Sequence, residues 1–195
     1  ANDGERAVDL VLLCLNESSI LISTADRGHA VVDRKLGDSG RWVYRYRPVS
    51  RVWSDNNSGV YYSANATASV DPLGLTKFLH ERHFRHYFSE QAWLEATALT
   101  KYPDAVVSLT RHMLWQGNIL ARQAEYAPDL VITARPGWYF GTKGTPGTTH
   151  GYPLADSMRA CWFVSGPNVR KGARLDAPCR LVDLTPTLLD LLGMP

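Results

Sequence analysis

The sequence predicts an α/β fold with a mostly parallel sheet sandwiched by helices. Short apolar runs, such as Ile20–Ile22, Leu130–Ile132 and Ala160–Val164, alternate with longer segments of helical periodicity. A parallel strand is buried on both faces and is therefore apolar throughout, and alternation with helices is typical of layered α/β domains. With 195 residues and no low-complexity segment, we expect residues 1–195 to be the C-terminal part of one domain, with an insert at about 37–126.

The first elements are a helix and a strand. Glu5–Asn16 is predicted to be helical because Val8, Val11, Leu12 and Leu15 share one helical face. Ile20–Thr24 follows as a buried strand, and Asp26 comes directly after it. Ligands collect at the C-terminal strand ends of parallel sheets, so this position makes Asp26 a candidate functional residue.

The insert has a different pattern. Aromatic residues alternate with other residues over 42–47, and a polar turn at 55–59 precedes Val60–Tyr62. This pattern predicts a β-ribbon. A helical stretch is then expected from Asp71 to about Leu99, and one or two further helices over 105–126.

The last third returns to the strand and helix pattern. Asp129–Ala134 and Ala160–Val164 are predicted to be buried strands. The final helix is the best defined, because Thr185 can cap its N-terminus, Pro186 fits its first turn and Gly193 ends it.

Composition excludes some classes of function. A formal net charge of +2 gives no reason to expect a nucleic-acid polymer or an acidic membrane as partner. No apolar run approaches the ~20 residues that a membrane span needs. Because Ala1 lies just before an apolar run, we expect the chain to be a piece of a longer protein. The oligomeric state is left open.

Three motifs together resemble the alkaline phosphatase superfamily. Ser23–His29 resembles its "S/T-D-H-G" segment, and the loop Thr149–Tyr152, followed by Phe163–Pro167, resembles its late histidine-ligand motif. Val182–Gly193 is similar to its C-terminal helix motif. The type I phosphodiesterase/nucleotide pyrophosphatase branch is the most similar, since Asp129–Ile132 is also followed by a Gly-Trp-Tyr-Phe segment. The resemblance covers about residues 5–29 and 127–195.

The resemblance implies a metal-dependent hydrolase of phosphodiesters or pyrophosphates, with a small phosphoester substrate. Two divalent metal ions, usually zinc, clamp the phosphate in this family. His150 would bind one metal and Asp26 the other, with His29 as a further ligand. The nucleophile, a Thr or Ser, is expected upstream of Ala1, so the chain alone should not turn over substrate. The compartment is left open, with a secreted or periplasmic location as the candidate for the intact parent.

One position departs from the family pattern. Arg27 stands where the family has a histidine, and a guanidinium has no lone pair for a metal. Arg27 is therefore predicted to bind the substrate phosphate as a bidentate donor, and Gly28 would let His29 swing in as the ligand. The alternative is a degenerate family member that acts as a binding or structural module. A sulfatase-like or phosphoglycerate-mutase-like activity is a lesser variant within the superfamily. His80, His83 and His86 are predicted to lie on a polar helix face.

Overall fold

The computed structural model describes residues 6–54, 60–63, 70–114, 127–141 and 151–194. Two units are distinguished, Ala1–Met158 and Arg159–Pro195, and each is described by itself. The expectation that residues 1–195 are the C-terminal part of one domain, with an insert at about 37–126, stays a prediction.

Eight strands and five α-helices are found in the described residues. The strands are β1 (Val8–Asn16), β2 (Ser19–Thr24), β3 (Gly28–Leu36), β4 (Trp42–Val49), β5 (Arg51–Ser54), β6 (Val60–Ser63), β7 (Phe88–Ser89) and β8 (Leu130–Ala134). The helices are α1 (Arg82–Arg85), α2 (Glu90–Thr97), α3 (Ala105–Met113), α4 (Ala155–Met158) and α5 (Leu184–Leu191), with short 3-10 turns at Leu75–Lys77 and Leu181–Asp183.

The main sheet is antiparallel, so the prediction of a mostly parallel sheet is wrong. Its six strands are ordered β7-β4-β3-β2-β1-β8, and every neighbouring pair is antiparallel. The connections explain this. Residues 17–18, 25–27 and 37–41 join consecutive strands, whereas a parallel pair needs a crossover of a dozen or more residues. The fold is still a mixed α/β fold.

The prediction of a helix over Glu5–Asn16 is also wrong, because Val8–Asn16 forms β1. Leu10 and Leu12 lie in the core on one face of the sheet, while Leu13 and Leu15 pack against a second cluster. A strand with apolar contacts on both faces is apolar throughout, and periodicity alone does not distinguish it from a buried helix.

Helices cover one face of the sheet. Trp93 of α2 is fully buried there and donates from its indole Nε1 to the carbonyl of Tyr44 at 2.9 Å. Side chains of α3 complete this core, including Val106, Leu109 and Met113. The opposite face carries a smaller cluster around Leu21, Val31 and Val49, against which Val52 and Tyr62 of the β5–β6 hairpin pack. The core therefore fixes the four long strands and their turns relative to α2 and α3.

The structure confirms only part of the prediction for residues 37–126. A β-ribbon is present as β5–β6, but β4 belongs to the main sheet. The helical stretch from Asp71 to Leu99 is broken into a 3-10 turn, α1, β7 and α2. α2 begins after Ser89, whose hydroxyl accepts from the backbone N of Ala92 at 3.2 Å. Of the helices expected over 105–126, α3 is observed, and residues 115–126 lie outside the described residues.

The unit Arg159–Pro195 contains the predicted C-terminal helix. α5 covers Leu184–Leu191, and Gly193 follows it in the left-handed conformation, with φ 68°. The strand expected over 160–164 is not formed in this structure, and Phe163 is 90% exposed. Among the described residues, no helix has the length and apolar character that a membrane span requires.

Candidate functional site

The turn between β2 and β3 positions the first candidate residues. Its three residues are Ala25, Asp26 and Arg27, and Gly28 closes it in the left-handed conformation, with φ 82°. The hydroxyl of Thr24 accepts from the backbone N of Arg27 at 2.8 Å. A short hairpin loop that ends in a left-handed glycine is a common antiparallel connection. Asp26 and Arg27 thus lie at a hairpin tip, where the sequence predicted the open end of a parallel strand.

Arg27 is bound to two buried side chains. Its Nη2 donates to Oδ1 of Asp9 at 2.8 Å and to the hydroxyl of Tyr102 at 2.9 Å. The Tyr102 hydroxyl also lies 2.8 Å from Oδ2 of Asp9, to which it can donate. Asp9 and Tyr102 are each 1% exposed. Burial acts to lower the pKa of Arg27, but the hydrogen bond to Asp9 and the charge interactions with Tyr102, Asp9 and Asp26 together outweigh burial, so the pKa is raised.

Asp26 is the more exposed carboxylate of this turn. Its side chain is 48% exposed, and its Oδ2 accepts from Nη2 of Arg135 at 2.7 Å. Burial acts to raise its pKa, but the hydrogen bond from Arg135 and the charges of Arg27 and Arg135 outweigh it, so the pKa is lowered. Arg135 is itself fixed, because its Nε donates to the carbonyl of Val8 at 3.1 Å.

Lys101 adds a third cation to the same place. Its pKa is lowered, first by burial and further by Arg27 and Arg135, against the opposite effects of Asp9 and Asp26. We name these five residues the charged cluster: Asp9, Asp26, Arg27, Lys101 and Arg135. With three cations and two carboxylates, its formal net charge is +1.

His29 lies on the other side of the turn, at the start of β3. It pairs with Ser23 across β2 and β3, and its Nδ1 lies 2.9 Å from the Ser23 hydroxyl. Burial lowers the pKa of this imidazole. His29 therefore has a protein partner of its own, different from those of Asp26.

His150 lies outside the described residues, but the segment that follows it is well placed. Gly151 has φ 102°, and the Tyr152 hydroxyl donates to the carbonyl of Trp138. Leu154 is buried in the main core. The backbone N of Ala155 donates to the carbonyl of Lys101 at 2.9 Å. This segment is thus fixed next to a member of the charged cluster.

The described residues do not by themselves form a zinc site. Within 6–54, 60–63, 70–114, 127–141 and 151–194, no group of three or more His, Cys, Asp or Glu side chains could hold a metal. Zinc usually takes three or four protein ligands. Asp26 and His29 are bonded to Arg135 and Ser23 instead. The proposed roles of Asp26, His29 and His150 as ligands stay predictions.

Several members of the charged cluster were not found by sequence reasoning. Asp9 was hidden in the predicted first helix, and Lys101 and Arg135 belong to no motif. The same holds for Tyr102, which contacts the cluster without being a member. One signal was available, because Asp9 is the only charged residue within 7–16. A charge in a buried apolar run is almost always paired, so a partner for Asp9 was to be expected.

Comparison with known proteins gives one partial match. The chain is 32% identical over 93 residues to a protein described as "Sulfatase" from Formosa agariphila. The match covers 46% of this chain and 18% of the sulfatase, so the chain spans less than a fifth of that relative. Sulfatases belong to the alkaline phosphatase superfamily, which is the superfamily that the motifs resemble. No family model and no solved structure matches the chain.

Proposed function

We propose that this chain is part of a metal-dependent ester hydrolase of the alkaline phosphatase superfamily that cleaves phosphodiesters or pyrophosphates. The similarity to a sulfatase is the observation that carries the proposal, because it independently supports the superfamily that the motifs indicated. The position of α5 also supports the superfamily, because α5 begins and ends within Val182–Gly193, the motif that resembles the C-terminal helix of this superfamily.

His150 is the ligand that we propose to test first. It belongs to the motif that resembles the histidine loop of the superfamily, and the residues after it are held to the core through Leu154 and to Lys101 through Ala155. Bound metal ions would supply charge neutralisation for the ester. The contribution of the chain itself is that Leu154 and Ala155, which follow His150, are held to the core and to Lys101.

The test is a pair of histidine variants in the intact protein. We expect His150→Ala to lower both the bound zinc, measured by elemental analysis, and the hydrolysis of bis-p-nitrophenyl phosphate. His80→Ala is the matched control, because His80 is exposed, and it should change neither quantity. Parallel assays with p-nitrophenyl sulfate identify the ester class. Full activity and full metal content in His150→Ala would contradict the proposal.

A second function, a binding or structural module without catalysis, is favoured by the geometry of the hairpin turn. Asp26 and Arg27 are engaged with Arg135 and Asp9, as expected for residues that hold a fold together. Two measurements separate the two functions. In Asp26→Asn, loss of bound metal and of activity together would identify Asp26 as a ligand. In the unsubstituted protein, the absence of both bound metal and esterase activity would support the module.

A further inference from the structure

The charged cluster differs from an ordinary set of ion pairs in how its charges are balanced. Asp9 is 1% exposed and is held by both Arg27 and Tyr102, so it is a permanent counter-ion for Arg27. Asp26 is 48% exposed, and it pairs with Arg135 at 2.7 Å and more loosely with Nε of Arg27 at 3.9 Å. It is therefore the one carboxylate of the cluster that can leave its partner for water at small cost, because exposed ion pairs contribute little.

Lys101 has no such counter-ion. Among the described residues, no carboxylate lies within 4.0 Å of its ammonium group, and its Nζ lies 5.0 Å from the centroid of the Tyr102 ring. The charges of Asp9, Arg27, Arg135 and Asp26 all act on it without a direct ion pair, that of Asp9 most strongly. Lys101 and Arg135 are therefore the two cations of the cluster that a ligand can use.

Two further guanidinium groups lie in or beside the charged cluster. The Nε of Arg27 is buried and has no hydrogen-bond partner among the described residues. Arg6, outside the charged cluster, donates from Nη1 to the carbonyl of Ala25 at 3.2 Å, which holds a fourth cation at the turn. Several cations with few counter-ions at one place attract an anion, and guanidinium groups match the oxygens of phosphate and sulfate in particular.

We propose that the charged cluster is a binding site for a tetrahedral oxyanion, the terminal group of a phosphate or sulfate ester, with Lys101 and Arg135 as its direct ligands. In the free protein Asp26 takes the place of this anion on Arg135. On binding, the carboxylate of Asp26 turns to solvent and the oxyanion accepts hydrogen bonds from Arg135 and Lys101. Arg27 stays on Asp9 and keeps the turn in position. The site needs no metal ion and does not depend on the proposed hydrolase activity.

Binding is tested by calorimetric titration of the intact protein with inorganic phosphate and, separately, with sulfate, at constant ionic strength and with EDTA present. Lys101→Ala should weaken binding roughly tenfold, because one charge-assisted hydrogen bond is lost. Lys77→Ala is the control, since Lys77 is an exposed lysine outside the cluster, and it should leave binding unchanged.

Asp26→Asn gives the decisive result, because it should strengthen binding severalfold by removing the competing charge. A damaged fold does not produce a gain in affinity. Saturable binding of either anion with this pattern supports the site, and the tighter anion identifies the ester class.

Three outcomes would overturn the proposal: no saturable binding of either anion, unchanged or weaker binding in Asp26→Asn, or binding that requires metal and disappears in His150→Ala. The last outcome would place the anion at the metal site. Loss of esterase activity in His150→Ala with intact anion binding in EDTA would support both proposals separately.

Discussion

The ion pair between Asp9 and Arg27 joins β1 to the hairpin turn, and its two partners differ strongly in exposure. The Asp9 side chain is 1% exposed and that of Arg27 is 29% exposed. Removing Arg27 leaves Asp9 without its counter-ion, whereas removing Asp9 leaves Arg27 with the looser ion pair to Asp26 at 3.9 Å. Since water reaches the guanidinium more easily than the carboxylate, Arg27→Gln should destabilise the protein more than Asp9→Asn.

The magnitudes follow from these environments. Arg27→Gln leaves a buried carboxylate with Tyr102 as its remaining neutral donor, which should lower the free energy of unfolding by about 3–5 kcal/mol. Asp9→Asn leaves a half-hydrated guanidinium and keeps an acceptor oxygen, so a loss of about 1–3 kcal/mol is expected. The double variant should lose about 1–3 kcal/mol less than the sum, because no charge is then left unpaired.

Urea unfolding followed by tryptophan fluorescence measures these differences, since Trp93 is fully buried in the core. The control is Arg85→Gln, which removes an ion pair with Glu81 in which both side chains are at least 70% exposed. It should change stability by about 0–0.5 kcal/mol. A larger loss for Asp9→Asn than for Arg27→Gln, or additivity of the two within ~0.5 kcal/mol, would refute the argument.

Two further predictions concern the same hairpin. Gly28→Ala should cost about 1–3 kcal/mol more than Gly40→Ala. Both glycines have positive φ, but only at Gly28 would the new Cβ clash with a side-chain atom, Cγ1 of Val70. Equal losses of stability in urea unfolding would contradict this. The second concerns pH. Because burial lowers the folded pKa of His29 below 6.5, the unfolded chain binds more protons, so stability should be complete above pH ~6.5 and fall as the pH decreases towards the folded pKa. His29→Asn should reduce this loss of stability at low pH. The pKa of His83 is also lowered, so His83 should account for the pH dependence that remains. An unchanged dependence of stability on pH in His29→Asn would rule out His29 as its source.

The parts of the fold that could be predicted are those set by local chemistry. The C-terminal helix was predicted correctly because Pro186 and Gly193 lie close to its two ends. The predicted cap Thr185 was wrong, since the helix begins at Leu184 and Asp183 is its N-cap. β8 was found as a strand from its short apolar run, Leu130–Ala134. These signals depend on neighbours in sequence and do not require knowledge of the rest of the chain.

Strand direction could not be obtained in the same way. It depends on the length of the connections, and the assignment of Val8–Asn16 as a helix removed one strand of the first hairpin. Once β1 is recognised as a strand, the two-residue connection to β2 admits only an antiparallel pair. This error of periodicity, together with the unrecognised strand β3 and the assignment of β4 to an insert, changed the predicted architecture of the sheet.

The candidate site was predicted in part for a related reason. Asp26 and Arg27 were identified from their position after a strand, but their partners come from distant segments. Tyr102 lies 75 residues after Arg27, and Arg135 lies 109 residues after Asp26. No local pattern encodes such contacts, and they follow only from the pairing of β1 with β8 and the packing of α3 on the sheet.

The backbone context also decides which ions this position favours. In a parallel sheet, the residue after a strand faces an open edge, where a carboxylate can meet a metal. In the hairpin, the chain returns at once, and the adjoining strands bring Arg135 and the buried pair of Arg27 with Asp9 to the same place. A divalent cation at Asp26 would have to displace Arg135 and lie beside Arg27 and Lys101, and unit charges of like sign at 4 Å repel by about 4 kcal/mol at an effective dielectric constant of 20. An oxyanion gains from the same three cations. The motif Ser23–His29 therefore identified the position of the charged cluster, and the antiparallel turn is the reason that we expect an anion there and not a metal ion.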